Sequence, residues 1–147
     1  MPAFAAVQVL SIEWKSMLRL SALFVLVVGA LAASDKADRG KYLVEEVAKC
    51  QNCHTPQMPD GQLDRGKWLK GTVLSFQPIE PVKDWHKTSP DLTPGSRLWQ
   101  RWAEKGLVTF LKTGLGPSGH HADPPMPTYT LEADDAEAIV DYLKSLK

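Results

Sequence analysis

The spacing of apolar residues along this chain predicts three helical segments. In the first, residues 35–49, the apolar side consists of Tyr42, Leu43, Val44 and Val47, and the charged side of Lys41, Glu45, Glu46 and Lys49. Gly40 costs about 1 kcal/mol relative to alanine inside a helix, and such a glycine often lets another helix approach closely. We therefore expect a close helix–helix contact at Gly40.

Two further helices are predicted in the C-terminal part. The second segment starts at Leu98 and ends at Gly114, with Trp99, Trp102, Leu107, Phe110 and Leu111 at helical spacing. Because Gly106 weakens its middle, we expect two short helices that meet near Ala103. The last helix has Glu132, Asp134 and Asp135 in its first turn, Ile139, Tyr142, Leu143 and Leu146 as its buried stripe, and Lys144 and Lys147 near its end. With no convincing strand, the pattern predicts an all-α fold of three to five helices and long loops.

Residues 55–94 contain no long periodic element, since prolines and glycines recur throughout them. A connection of this length without regular structure is unusual inside a compact domain. It becomes reasonable if the loop packs on a large, rigid cofactor, for which an apolar wall is available in Trp68, Leu69, Val73, Leu74, Phe76, Ile79 and Trp85. Each of these residues alone is equally compatible with ordinary loop anchoring.

Residues 1–33 are expected to be a secretory signal peptide and not part of the fold. The apolar run 20–33 follows basic residues and ends in small ones, which predicts cleavage near Ala32 or Ala33. The alternative is an uncleaved membrane anchor, although the run is short of the about 20 residues that a spanning helix needs. Met17 is the more ordinary start for such a signal.

The composition is that of one domain without a nucleic-acid surface. The chain has 147 residues, a length typical of a single domain, and we place that domain at residues 34–147. Lys and Arg together number 17, as do Asp and Glu, so the formal net charge is zero. A nucleic-acid-binding protein would show a basic excess, so we expect no nucleic acid among the partners.

The only two cysteines lie in the sequence Cys50-Gln51-Asn52-Cys53-His54, the C-x-x-C-H pattern of covalent c-type haem attachment. In this pattern both thiols form thioethers with the haem vinyl groups, and the histidine supplies an axial nitrogen to the iron. Two intervening residues let one turn of chain reach both vinyl groups. In bacteria this attachment takes place outside the cytoplasmic membrane, so the motif and the export signal support each other.

Three other interpretations of the motif are weaker. A structural zinc site normally needs four ligands, and no second Cys/His pair lies at the required spacing. A thioredoxin-like redox pair would need a βαβ context, of which the pattern gives no sign. The remaining alternative is a chance occurrence.

The second axial position of the iron is assigned to Met126. This residue lies among three prolines, so its backbone is stiff and its side chain can be aimed. A thioether opposite a histidine gives the His/Met pairing of cytochromes c, which raises the reduction potential. Met58 follows His54 too closely to reach the other face of the ring.

Two alternatives to ligation by Met126 stay open. Met126 is also a suitable residue to fill a gap in the core. His120 and His121 offer imidazole ligands, which would lower the reduction potential. His86 is expected to be an exposed loop residue.

These features resemble a class I monohaem cytochrome c, and most closely the modules of bacterial alcohol and gluconate dehydrogenase cytochrome subunits. Besides the haem motif, the resemblance rests on residues 39–43 (RGKYL), 89–94 (SPDLTP), 102–114 (WAEKGLVTFLKTG), 125–127 (PMP) and 138–146 (AIVDYLKSL). It implies the cytochrome c fold, in which helices wrap around one covalently attached haem. The first and last helices of that fold cross where a small residue meets an aromatic one, so Gly40 and Tyr42 should face Tyr142.

The resemblance also implies the site. The expected site residues are Cys50 and Cys53 for covalent attachment of one haem c, and His54 and Met126 as axial ligands. No catalytic residues in the ordinary sense are expected. A metal-bound histidine normally donates its other ring N–H to an acceptor, and the carbonyl of Pro56 or Pro59 is the expected acceptor for His54.

The expected function is that of an exported, periplasmic electron carrier between redox partner proteins, such as a dehydrogenase, an oxidase or another cytochrome. The alternative is a haem enzyme or small-molecule sensor in which Met126 does not ligate and the sixth coordination site is open. A third possibility is a fixed subunit of a dehydrogenase complex. Membrane contact is expected only if the signal segment stays uncleaved.

Overall fold

Four helices dominate residues 35–146, the part of the chain that the computed structural model describes. Helix α1 covers residues 35–42 and continues into one π-helical turn, Leu43–Val47; α2 is Gln51–His54, α3 is Arg97–Thr113 and α4 is Ala133–Ser145. A 3-10 helix spans Arg65–Lys67, and the strands β1 (Thr72–Val73) and β2 (Thr88–Ser89) pair antiparallel. The predicted signal peptide lies outside the described residues.

The prediction of a mainly helical fold with long loops is confirmed. All three predicted helices are found near their expected positions, and α2 adds a fourth at the cysteine motif. The expectation of no strand is wrong, because β1 and β2 form a two-residue ladder within the long loop. No helix within residues 35–146 is long and apolar enough to cross a membrane.

The π-helical turn changes which side chains of α1 face the core. The Ala48 N–H donates to the Leu43 carbonyl at 2.8 Å, five residues earlier, so this turn contains more residues than an α-helical turn. The side chains are rotated accordingly: Val44 is fully buried, whereas Val47 is 57% exposed. Tyr42 is exposed as well. The predicted apolar side is therefore right for Leu43 and Val44 and wrong for Tyr42 and Val47.

Helix α1 contacts α4 closely at Gly40, as predicted. A methyl group at Gly40 would overlap the carbonyl of Ala138 and lie 2.9 Å from Cβ of Tyr142. Tyr42 takes no part in this contact, so that prediction is wrong. Two residues correspond to about 200° around a helix, which turns Tyr42 away from α4 and places its ring centre 5.8 Å from the Arg39 guanidinium.

Helix α3 consists of two helical pieces joined at Ala103, as the sequence predicted. Ala103 has a non-helical backbone conformation with φ 50° and ψ 178°. At the start of the helix, the Ser96 hydroxyl accepts a hydrogen bond from the Trp99 N–H at 3.4 Å. At its end, Gly114 is left-handed and donates its N–H to the Phe110 carbonyl at 2.7 Å. The predicted kink and stop are both confirmed.

The core lies where α1 and α4 meet the long loop. Its buried residues are Leu43, Val44, Leu69, Ile139, Tyr142 and Leu143. At the edge of this cluster, the Tyr142 hydroxyl donates to Glu45 Oε1 at 2.5 Å and accepts from Trp68 Nε1 at 3.2 Å. The Tyr142 hydroxyl thus joins α4 to both α1 and the long loop by hydrogen bonds, as expected for a partly buried polar group.

Tyr142→Phe is expected to lower the free energy of unfolding by about 1 kcal/mol, since it removes these hydrogen bonds while keeping the ring. Burial and the bond to Glu45 raise the pKa of Tyr142 from 10 to about 12. The folded state thus favours the neutral phenol, so this contribution is complete below pH 10 and is lost as the pH rises toward 12. Denaturant titrations of both proteins should give a constant difference up to pH 10 and a shrinking one above it. A difference independent of pH would contradict this role of the hydroxyl.

The apolar wall predicted for the long loop is only partly present. Leu69 is fully buried, and its N–H donates to the Thr55 hydroxyl at 2.9 Å. Val73 and Ile79, by contrast, are 71% and 100% exposed. The loop is therefore anchored in the core at Leu69. The part between β1 and β2 instead exposes apolar side chains to solvent.

Candidate haem site

The cysteine motif lies on the short helix α2, directly after α1. Lys49 adopts a left-handed conformation (φ 52°) that ends the preceding turn. Gln51 is buried, and its Nε2 donates to the Glu45 carbonyl at 2.7 Å, which fixes α2 against the end of α1. Cys50 and Cys53 are therefore held one turn apart on the same side of a fixed segment.

Both cysteines are unbridged thiols in a partly buried environment. Burial raises the pKa of Cys50 to about 11 and also raises the pKa of Cys53. Redox-active C-x-x-C pairs and zinc sites use thiolates, which a lowered thiol pKa favours. The environment of these thiols therefore does not favour the thiolate form.

His54 is 4% exposed at the end of α2. Its Nδ1 lies 2.8 Å from the carbonyl oxygen of Pro90. Since a carbonyl can only accept, Nδ1 carries the proton and Nε2 keeps a free lone pair. Burial lowers the pKa of His54, partly offset by the bond to Pro90, and this favours the neutral ring that binds metals. The Nε2 of His54 is therefore the ring nitrogen that could act as a metal ligand.

The prediction that Pro56 or Pro59 would accept the bond from His54 is wrong. Pro90 is 36 residues away in the sequence. Two contacts bring Pro90 to the His54 ring. The Gly71 N–H donates to the His54 carbonyl at 2.8 Å, and the pairing of β1 with β2 places the residue after β2 next to Gly71. A Cβ at Gly71 would lie 2.6 Å from a carbonyl oxygen of β2, so the approach depends on glycine.

Met126 lies partly buried at the end of a tight turn that starts at Asp123. Its N–H donates to the Asp123 carbonyl at 3.2 Å. Pro124 accepts a hydrogen bond from the His86 N–H at 2.7 Å, and His86 Nε2 lies 3.0 Å from Asp123 Oδ2. The turn with Met126 is therefore tied to the loop in front of β2, and His86 is exposed as predicted.

The rival ligands face the surface. His120 and His121 are both exposed, and His121 Nδ1 lies 2.9 Å from the carbonyl of Gly114. Met58 is 41% exposed. Burial of the haem is one of the means by which a protein tunes the iron. The partly buried Met126 is therefore a better candidate for the sixth ligand than these exposed side chains.

Tyr129 is a partly buried residue whose link to the cysteine motif the sequence pattern did not indicate. Burial raises the pKa of Tyr129 to about 12, and the neighbouring Cys50 and Cys53 add to this rise. Tyr129 follows Met126 by three residues in the sequence. Its position three residues after the candidate ligand is the one signal that could have pointed to it.

Two buried polar atoms within residues 35–146 have no hydrogen-bond partner, Gln51 Oε1 and Trp85 Nε1. Such atoms are uncommon in folded proteins and call for a missing partner. Trp85 precedes His86, which contacts the Met126 turn, and its N–H is a donor that a haem carboxylate would satisfy. Together with the two thiols and the free Nε2 of His54, this donor fits a covalently bound haem. Within the same residues, no cluster of three or more His, Cys, Asp and Glu side chains is placed to hold a metal ion.

Comparison with known proteins agrees with this chemistry. Residues 37–147 match the sequence profile of the cytochrome c family. A diheme c-type cytochrome of Cereibacter sphaeroides is 32% identical over 124 residues, covering 81% of this chain and 38% of that protein. The fructose dehydrogenase cytochrome subunit of Gluconobacter japonicus is 29% identical, with 77% of this chain and 22% of the relative covered.

A third relative is the cytochrome c subunit of the quinone alcohol dehydrogenase of Gluconobacter oxydans, 32% identical over 74% of this chain and 23% of its own length. The chain thus spans well under half the length of each of these relatives. The family match covers α1 almost from its start and includes all later helices. The predicted resemblance to cytochrome modules of dehydrogenases is confirmed: the chain belongs to the cytochrome c family of haem-carrying electron-transfer proteins.

Proposed function

We propose that this protein is an exported, monohaem c-type cytochrome that transfers single electrons between redox partner proteins. The observation that carries the proposal is the buried His54, whose Nδ1 is bound to the Pro90 carbonyl at 2.8 Å. A histidine with its second nitrogen free, directly after the two thiols of a C-x-x-C motif, has the donor arrangement of a haem ligand.

Each residue of the site has a defined task in this proposal. Cys50 and Cys53 provide the thioethers, and His54 and Met126 are the axial ligands. When bound, the haem supplies a ferrous/ferric couple that exchanges one electron. Pro90 orients the His54 ring and raises its basicity. The buried Trp85 Nε1, which has no partner within the described residues, would be satisfied if a haem carboxylate accepted from it.

One haem per chain is proposed, since the sequence contains a single C-x-x-C-H motif that uses both cysteines. The similar protein from Cereibacter sphaeroides is described as diheme, and this chain spans 38% of its length. A single haem here is compatible with two in that longer relative.

We place the protein in the periplasm, because residues 1–33 have the pattern of a signal peptide that precedes the proposed cytochrome domain at residues 34–147. Two relatives are cytochrome subunits of a fructose and an alcohol dehydrogenase. By analogy, a dehydrogenase is the proposed electron donor, and an oxidase or another cytochrome the acceptor. Such redox encounters use small, transient interfaces. The role is that of a carrier and not of an enzyme with its own substrate.

An absorption spectrum combined with a redox titration of the exported protein tests this function. A low-spin ferric spectrum with a weak near-infrared sulfur-to-iron band and a reversible one-electron reduction is expected. A high-spin spectrum with rapid binding of carbon monoxide after reduction would instead identify a haem enzyme or sensor with an open sixth position.

Covalent attachment has its own test. Cys50→Ala and Cys53→Ala should each leave one thioether, and the double variant should leave none. After denaturation and extraction with acidified organic solvent, haem should stay with the wild type and be released completely from the double variant. Asn52→Ala, an exposed position inside the motif, should behave as the wild type. Retention of haem by the double variant would refute the assignment of the motif.

A further inference from the structure

The segment from residue 72 to residue 89, here called the strap, joins the surroundings of both candidate axial ligands. At its base β1 pairs with β2, and the residues just outside this pair hold His54: the Gly71 N–H donates to its carbonyl and the Pro90 carbonyl accepts from its ring, both at 2.8 Å. Further along the strap, the His86 N–H donates to the Pro124 carbonyl at 2.7 Å. One loop therefore connects the His54 side of the site to the Met126 turn.

The turn that carries Met126 depends on contacts from outside. Its prolines have no N–H to donate, so within residues 123–127 only Asp123 and Met126 can donate backbone hydrogen bonds. The same prolines fix the backbone angle φ at three of these five residues, which restricts the conformations that the turn can adopt. A contact at the start of the turn therefore restrains the segment that carries Met126.

His86 holds this turn at two points. Its backbone N–H binds the Pro124 carbonyl, and its Nε2 lies 3.0 Å from Asp123 Oδ2. The Asp123 carbonyl in turn accepts the Met126 N–H at 3.2 Å. A continuous series of contacts thus runs from the strap through Asp123 to the peptide of Met126.

We propose that His86 and Asp123 are positioning residues for the sixth ligand: their side-chain contact keeps the Met126 turn in place and limits how often the Met126 sulfur leaves the iron. This rests on the proposed function, since it requires Met126 to be a ligand. The two side chains are 61% and 52% exposed, and exposed pairs of this kind are individually weak. The effect is therefore a moderate change in an opening rate and not a loss of the fold.

Imidazole binding to the ferric holoprotein measures this opening. At saturating imidazole, the rate of binding equals the rate at which Met126 departs. His86→Ala and Asp123→Ala are each expected to raise that limiting rate about two- to fivefold, the factor that corresponds to the loss of one exposed side-chain hydrogen bond or ion pair. The double variant should be no faster than either single variant, because both changes remove the same contact. Thermal unfolding of the variants should stay close to that of the wild type.

Lys83→Ala is the matched control, because it removes an ion pair (Lys83 Nζ to Asp84 Oδ2, 3.9 Å) that lies within the strap itself. It should leave the limiting rate unchanged. Single variants that behave like Lys83→Ala, or effects that multiply in the double variant, would overturn the proposed role of His86 and Asp123 while ligation by Met126 stands. A wild-type holoprotein without the sulfur-to-iron band would instead overturn ligation by Met126, and with it the proposed function.

Discussion

Replacement of Met126 by alanine is expected to lower the reduction potential of the holoprotein by at least about 0.1 V, within the span of roughly 0.8 V that axial ligation covers. A thioether is a soft, uncharged ligand that favours ferrous over ferric iron and so raises the potential. Alanine offers no donor atom, so water or a nitrogen ligand takes the position and this preference is lost. A redox titration followed by absorption measures the shift, and the sulfur-to-iron band should disappear in the same sample.

Met58→Ala is the matched control for this experiment. Met58 is 41% exposed, and its N–H donates to the Gln62 carbonyl at 2.8 Å within a local turn. The same chemical change at this position should leave both the potential and the band as in the wild type. A Met126→Ala titration curve that superposes on the wild type would show that the sulfur is not a ligand. The exposed His121 would then be the next residue to replace.

Features that depend on residues within one or two turns could be predicted from the sequence. The end of α3 at Gly114 and the interruption near Ala103 follow from local backbone preferences, and the structure has both. The close contact at Gly40 was predictable because a glycine is unfavourable inside a helix unless something approaches it. The C-x-x-C-H motif belongs to the same class, since attachment to one rigid ring demands a fixed spacing.

Contacts between distant parts of the chain could not be predicted in this way. The carbonyl that holds His54 comes from Pro90, and nothing near the ring in sequence indicates it; the loop must first close through Gly71 and β2. The π-helical turn was not predicted either, because the helical pattern was analysed with a constant period. The extra residue in this turn rotates Val47 out of the core and toward solvent. Trp85 was predicted only as an apolar side chain, and its unpaired N–H became visible with the packing around it.

Gly40→Ala is expected to lower the free energy of unfolding by about 2 kcal/mol or more. The new methyl group would overlap the carbonyl of Ala138 and lie 2.9 Å from Cβ of Tyr142. Neither atom belongs to a flexible side-chain end, so α1 and α4 would have to move apart. An overlap this severe places the cost at or above the upper end of the about 1–3 kcal/mol that overpacking typically brings. Alanine gains about 1 kcal/mol from helix propensity, which offsets only part of that cost. Chemical denaturation of the wild type and the variant measures the difference.

Gly95→Ala separates the steric effect from the general effect of replacing a glycine. A Cβ at Gly95 would meet nothing within 4 Å, so this variant should be as stable as the wild type or slightly more so. Equal losses in both variants would show that the close contact with α4 is not what Gly40 provides. Since Gln51 binds the Glu45 carbonyl at the end of α1, a displaced α1 should also shift α2. The haem spectrum of Gly40→Ala should then change together with its stability, which a purely local loss of helix stability would not produce.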